Sequence, residues 1–511
     1  MVKILQEIDK TPPVSTLTVS SRSEVRRAIQ RVFSFPTMLA TVLIVLAVFT
    51  VRARFDDPDM WWHLKLGEII WTTHTIPVTD VFSYTTNHRA SIPQEWLAQA
   101  SIFAAYRFCG GFSGLMLWDC VFASALLIAG YVLCSLYSGN SKVAFIGALA
   151  VWLFSTVGLA VRPQMIGYLF LIVELILIEL GRTRNTRWFF GLPILFAVWI
   201  NCHSSFVLGF IVAGVYLFSS FFNFRAGSLV AIHWDSRKLT LALILSVPAL
   251  FLNPVGIKQI LYPVDTILHQ NIGLGSVDEW QPTQMTGERG IALMAVLLCI
   301  LLLAVIRRSD LFWNELLLLV VGTWLGVSHV RLLFAFGILT APILSRQLST
   351  LWEGYDPERD HIWPNAALIG LSFLVAVLAF PNQQDLQRQV EQFSPVKAVE
   401  FIKSSHLSGP MLNEYGYGGY LIWALPEHPV FVDGRADVFE WSGVLGEFGN
   451  WATLQSDPNL LLQKYNVNFC LLGARSPMTR VLPLLHQWKI IYSDSNSAIL
   501  VRTPTEDSAG K

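Results

Sequence analysis

Apolar stretches long enough to cross a bilayer recur along this chain, and that recurrence limits its fold more than any other feature. They centre on residues 36–52, 112–137, 143–160, 164–181, 187–201, 205–222, 238–252, 290–306, 311–328, 332–345 and 363–380. A hydrocarbon core about 30 Å thick asks for about 20 apolar residues per helix. Inside lipid, only helices and closed barrels satisfy their own backbone hydrogen bonds. The reading is therefore a multi-pass α-helical membrane protein of about eleven spans. Charge agrees, since only 14% of residues are Asp, Glu, Lys or Arg, where soluble domains carry about a quarter. A formal net charge of zero leaves no electrostatic case for nucleic acid. The six cysteines lack CxxC spacing and lie mostly in or beside apolar runs. There they read as small hydrophobes, with neither a metal site nor a disulfide framework.

Basic residues orient the spans, because cytoplasmic loops carry an excess of Lys and Arg. Residues 1–35 form a polar cytoplasmic segment, and the first apolar run comes too late for a cleavable signal peptide. Arg22, Arg26, Arg27 and Arg31 precede that run, which places the N-terminus inside. Alternation then puts Arg182, Arg184 and Arg187 inside, with Arg225, Arg237, Lys238, Arg307, Arg308 and Arg346. The transmembrane region is expected to cover residues 36–380, with a long first outer loop at 54–111 and an outer domain at 381–511.

With that topology, every unusual polar and aromatic cluster faces outward. FDDPDMWWH spans Phe55 to His63, and NCHSS spans Asn201 to Ser205. Asp56, Asp57 and Asp59, so close together, repel unless a cation or proton is shared. That suits a divalent ion on hard oxygen ligands, Mg or Mn, with Asp57 and Asp59 as candidate ligands. It equally suits a general base facing an acceptor hydroxyl, and a plain acidic turn ahead of a helix near Met60 would look the same. Trp61 and Trp62 are candidates for stacking on a sugar or apolar face, or for an interfacial belt. Glu95 is a second outer acid, either catalytic or a first-turn helix residue. Arg162 and Arg331 fall at outer helix ends, where a guanidinium grips a phosphate bidentately or merely snorkels. His203 is a candidate ligand or acid-base group in a tight turn, and Glu279 a further outer acid. Glu174, Glu179 and Glu315 are the acids that fall within spans.

The tail alternates predicted helices (394–405, 457–465, 477–488) with predicted strands (429–433, 467–472, and a pair around 494–497). A small α/β domain with a mostly parallel sheet is expected. NEYGYGGY, Asn413 to Tyr420, interleaves glycines with Tyr415 and Tyr417, which permits close backbone approach and stacking or simply a bulged strand. VDGRAD follows at 432–437. No Walker A, GxGxxG, GxSxG or HExxH pattern is present.

These motifs together resemble the GT-C superfamily of integral membrane glycosyltransferases. FDDPDMWWH stands where that superfamily puts a catalytic acid in its first outer loop. NEYGYGGY resembles, in place and flavour, the WWDYG region of oligosaccharyltransferase catalytic subunits; it lacks the paired tryptophans, so sequon recognition does not carry over. The whole chain also resembles uncharacterised bacterial membrane proteins with DPDxWWH near the start and YGYGGYL and DGRAD near the end. The resemblance implies an integral protein of a bacterial inner or plasma membrane, part of the cell-envelope machinery. It implies inverting transfer of a sugar from a polyprenyl-phosphate-linked donor to a lipid, glycan or protein acceptor on the non-cytoplasmic face. Asp57, Asp59 and Glu95 would then be catalytic. Arg162, His203, Arg331, Trp61, Trp62, Tyr415 and Tyr417 would bind substrate. The alternatives are another polyprenyl-lipid enzyme, a transporter, which would bury charges mid-span, or a non-enzymatic assembly or scaffold protein.

Overall fold

The computed structural model describes residues 29–503 except positions 87, 233, 270–274, 276–277 and 486. Arg22, Arg26 and Arg27 therefore lie outside the described residues. A helix occupies each of the eleven apolar stretches. Local chemistry starts and stops them. Phe35–Val51 begins at Ser34, whose side chain accepts from the Thr37 amide, with Pro36 in the first turn. Phe112–Ser138 ends on Gly139 in the left-handed region, and Asn140 caps Ser141–Ser155.

Phe112–Ser138 is the hub. It packs against Phe35–Val51, Trp96–Phe108, Ser141–Ser155, Gln164–Thr183 and Leu333–Leu348. Around it lies one continuous apolar core that includes Leu115, Leu126, Val151, Leu171 and Ile338. Five helices among the described residues are long and apolar enough to span a membrane, and five shorter ones are apolar. Ser236–Ala249 stands apart, since it opens on Arg237 and Lys238 and carries Pro248. At the rim, Glu288–Ile306 is only 17% buried and Ile362–Ala379 only 6%, although both are apolar. Water would penalise such surfaces heavily. Lipid does not, so this is an integral membrane protein.

Two further helices lie beyond the eleven stretches, the one suggested near Met60 and one that the sequence reading lacked. Met60–Thr73 follows the aspartates directly and lies against Trp96–Phe108. Ile257–His269 is amphipathic, with Gln259 and Tyr262 buried and Ile257, Leu261, Val264 and Leu268 exposed.

In the tail, strands Met411–Asn413 (β3), Phe469–Gly473 (β4), Trp488–Ser493 (β5) and Ser497–Arg502 (β6) form a sheet in the order β3-β4-β6-β5. The membrane region contributes β1 (Leu229–Val230) and β2 (Leu311–Phe312), a short parallel pair. Only β3 and β4 run parallel in the tail sheet; the other two pairs are antiparallel, which corrects the expectation of a mostly parallel sheet. The reason is local. Asp494 Oδ1 accepts the amides of Asn496 and Ser497, and the tight turn so formed folds β6 back on β5. The strand expected at 429–433 is also absent from this sheet. Val430 instead forms a bridge with Ser83 of the first outer loop, its amide donating to the Phe82 carbonyl at 2.9 Å. Thr85 Oγ1 adds a bond to the Phe431 carbonyl at 2.7 Å. Residues 82–85 and the tail are thus stitched together.

Candidate active site

Five residues from four separate segments meet at one end of the bundle. Asp57 sits in the turn after the first span, and its Oδ1 accepts the Asp59 amide at 2.9 Å. Arg162, just before helix Gln164–Thr183, grips Asp57 bidentately; Nη2 donates to Oδ1 at 2.8 Å and Nε to Oδ2. The same Nη2 lies 3.2 Å from Asp59, and Nη1 lies 3.4 Å from Glu279. Glu279 also takes Arg331 Nη1 at 3.5 Å. Arg331 is held in place by two contacts. Its guanidinium carbon stands 5.4 Å from the Trp280 ring centroid, and the Val330 amide donates to the Gln281 carbonyl at 3.0 Å.

The tail motifs close onto this cluster. Gly419 faces the Pro58 carbonyl and Gly434 faces Asp59 Oδ1, so tightly that a Cβ at either position would overlap those atoms. Trp62 Nε1 donates to Asp59 Oδ1 at 3.2 Å. The Asp59 carboxyl is raised to about 6, chiefly by burial, with Arg162 opposing.

Beside it lies a second group with a different character. Glu95 Oε2 is 3.7 Å from His63 Nδ1, and its Oε1 is 3.7 Å from His203 Nε2. Burial pushes Glu95 up to about 8, although Arg331 opposes. Burial, with Arg331 nearby, takes His203 down to about 3. Burial also holds His63 well below the usual histidine range, helped by Arg162, His203 and Arg331. Both imidazoles are neutral at pH 7. Glu95 lines a cleft between the first outer loop and the tail, with Trp62, Gln99, Phe82, Arg435 and Asp437 among its walls.

The expected residues divide. Asp57, Asp59, Arg162 and Arg331 form one cluster, and Glu95 and His203 form the second. Trp62 reaches both, since it bonds Asp59 and its ring lies 3.6 Å from that of His63. Tyr415 lies close enough to Asp59 and Asp433 to feel their charge. Trp61 is 2% exposed and packs edge-on against Phe112 and Tyr420, so no face is left for a ligand. Tyr417 turns away, donating to the Asn496 carbonyl at 2.8 Å. Asp57 and Asp59 present their oxygens to Arg162, and a divalent ion there would have to displace the guanidinium. Among the described residues no three His, Cys, Asp or Glu side chains are grouped to hold a metal.

The sequence reading missed His63 as a partner of Glu95, and Asp437, which accepts from Tyr262 Oη at 2.9 Å. It also missed the role of Arg435. That guanidinium is buried between Asp433 and Asp80, with Nε to Asp433 at 2.8 Å and Nη1 to Asp80 at 2.7 Å. Only the DGRAD motif itself signalled the last of these.

No family model matches the chain, and no curated protein matches it in sequence. Solved structures do. The oligosaccharyltransferase of Archaeoglobus fulgidus, crystallised with a tethered acceptor peptide, gives a TM-score of 0.53 at 13% identity, over 92% of this chain and 74% of that one. AglB from the same organism, in complex with an inhibitory peptide and a dolichol-phosphate, gives 0.53 at 12% identity, over 91% and 74%. Apo ArnT from Cupriavidus metallidurans gives 0.52 at 14% identity, over 92% and 98%. The same enzyme bound to undecaprenyl phosphate gives 0.50 at 12% identity, over 91% and 98%. Identities this low establish likeness of fold: over 91–92% of its length the chain is similar in fold to these oligosaccharyltransferase and ArnT structures.

Proposed function

We propose that this protein is a membrane glycosyltransferase that moves a sugar from a polyprenyl-phosphate-linked donor to an acceptor on the non-cytoplasmic face. The observation that carries the reading is the meeting of Arg162 and Arg331 on Glu279, directly beside Asp57 and Asp59. Leaving-group charge develops on a phosphate in such a transfer, and preorganised guanidinium groups stabilise it. Arg331 keeps 26% of its side chain exposed and Arg162 keeps 16%, so both can face a ligand. The neighbours support the donor class, since one ArnT structure holds undecaprenyl phosphate and one AglB structure a dolichol-phosphate.

In this scheme Asp57 holds Arg162 in register and Asp59 orients the acceptor. Trp62 offers an aromatic face, and the acceptor enters the cleft between the first outer loop and the tail. Attack on the anomeric carbon from the face opposite the phosphate inverts the sugar. The orientation follows the basic loops, with residues 1–35 cytoplasmic, 36–380 in the membrane, and 381–511 outside. The alternative scaffold reading lacks a reason for two arginines and three acids to converge.

The test is reconstitution in liposomes with a panel of undecaprenyl-phosphate-linked sugars, reading release of the sugar or its transfer to membrane acceptors. Wild type should turn over at least one donor, while Asp57→Asn and Asp59→Asn should not. Silence of wild type across the panel, with folding verified, would sink the reading.

A further inference from the structure

The two acidic groups at the site differ in how many of their oxygens are already spoken for. Both oxygens of Asp57 are taken by Arg162, and one also accepts the Asp59 amide. Asp59 faces Arg162 with one oxygen and Trp62 Nε1 with the other, and Gly434 covers the latter. Glu95 has neither a cation nor a close donor. Its neighbours at 3.7 Å are two imidazoles, beyond hydrogen-bond length.

The imidazole tautomers can be assigned from their other bonds. The Ser205 amide donates to His203 Nδ1 at 3.1 Å, so that nitrogen is an acceptor and the proton sits on Nε2, facing Glu95 Oε1. Gln99 Nε2 lies 3.3 Å from His63 Nδ1, and its N–H fills the one lone pair of that nitrogen, so Nδ1 offers Glu95 Oε2 neither a proton nor a free acceptor. A glutamate carboxylate would receive the His203 N–H on one oxygen and keep the other unclaimed. Glu95 also lines the cleft, so an unclaimed oxygen stands where an acceptor can reach it, as a proton-transfer site requires.

We propose that Glu95, rather than Asp57 or Asp59, is the base that takes the acceptor's proton. This rests on the transferase reading above. The acceptor oxygen attacks the anomeric carbon as its O–H proton passes to Glu95. The anomeric C–O bond to phosphate breaks, and its electron pair leaves with the lipid phosphate, held by Arg331 and Arg162. Glu95 then returns the proton to water through the cleft. His63 and His203 are positioning residues. The other groups that act on Glu95 are Arg331, Arg162, Asp59 and Asp437, while Cys202 and Tyr262 feel its charge.

The experiment follows the pH dependence of sugar release from the undecaprenyl-phosphate-linked panel, in wild type, Glu95→Gln and Glu95→Asp. Wild-type kcat should climb with pH and level off above about 8, where Glu95 is ionised. Glu95→Gln should lose about 10²–10⁴-fold in kcat, keep the wild-type thermal midpoint at pH 5 and its retention of undecaprenyl phosphate, and show no such limb. Glu95→Asp should recover part of the rate with the limb displaced. Equal transfer by wild type and Glu95→Gln, or the same limb in both, overturns the base assignment and leaves the transferase reading standing. No release by wild type from any donor removes both. Infrared spectroscopy needs no substrate and adds an independent arm. A protonated-carboxyl band that titrates near pH 8 in wild type should lose amplitude in Glu95→Gln, and a band unchanged by the substitution overturns the assignment.

Discussion

Two arginines in this molecule are each clasped by two aspartates, and they differ in how far solvent reaches them. Arg435 lies between Asp433 and Asp80, with both carboxylates 0% exposed and its own side chain 6% exposed. The remaining Asp80 lone pairs are filled by the Ser83 and Thr86 hydroxyls and the Phe82 amide. Nothing is left to offer a ligand, so this arginine fastens the first outer loop to the tail. Arg162 lies between Asp57 and Asp59, but a third acid, Glu279, joins it from the open side and shares a second arginine. The Arg435 cluster is sealed from solvent, whereas the second keeps Glu279 29% and Arg331 26% exposed. Solvent exposure separates the two where charge alone does not.

The comparison breaks most visibly at Arg435. Arg435→Ala strands two fully buried carboxylates, a loss of about 3–5 kcal/mol against a typical total of about 5–15 kcal/mol. Thermal unfolding and limited proteolysis should show a detached tail or no folded protein; a midpoint equal to wild type would refute the fastener role. Arg331→Ala should behave in the opposite manner. Sugar release is expected to fall by about 10²–10³-fold, while the thermal midpoint stays near wild type because the side chain is partly solvated. A large loss of stability with retained turnover would invert the assignment.

The acid at Glu95 sharpens the contrast through pH. Its carboxyl is raised from an ordinary 4.5 to about 8, so the folded state binds more protons than the unfolded state between those values. Stability contributed by this group is therefore fully present below the lower value and declines as pH rises towards the upper one. The thermal midpoint should drop by several degrees between pH 5 and pH 9, and Glu95→Gln should flatten that slope. A slope identical in the two proteins would place its origin elsewhere. The smallest effect belongs to Tyr262→Phe, which removes the bond to Asp437. It should cost about 1 kcal/mol and raise KM for the acceptor severalfold with little change in kcat; a fall in kcat alone would argue against a binding role for this contact.

Much of this architecture could be read from one chain. The apolar stretches have one stable solution in lipid, and each became a helix within a few residues of its expected bounds. The acids of DPDxWWH and the outer arginines were legible as types of residue at helix ends, because orientation rules place them on one face. What no local rule supplied was their pairing. Asp57 and Arg162 are 105 residues apart, and Asp80 and Arg435 are 355 apart. Only packing of the whole bundle decides which acid an arginine neutralises, and hence which acid is left free. The same holds for the tail. A strand at 429–433 is a sound local prediction, yet its backbone found partners in the first outer loop instead of the sheet. Trp61 and Trp62 are adjacent and chemically identical, but successive helical residues point about 100° apart, so one faces the core and the other the cleft. Composition and hydrophobic spacing thus determined the membrane, the helices and the inventory of reactive groups. Tertiary structure decided which of those groups are satisfied and which are available, since hydrogen-bond saturation is a property of neighbours in space.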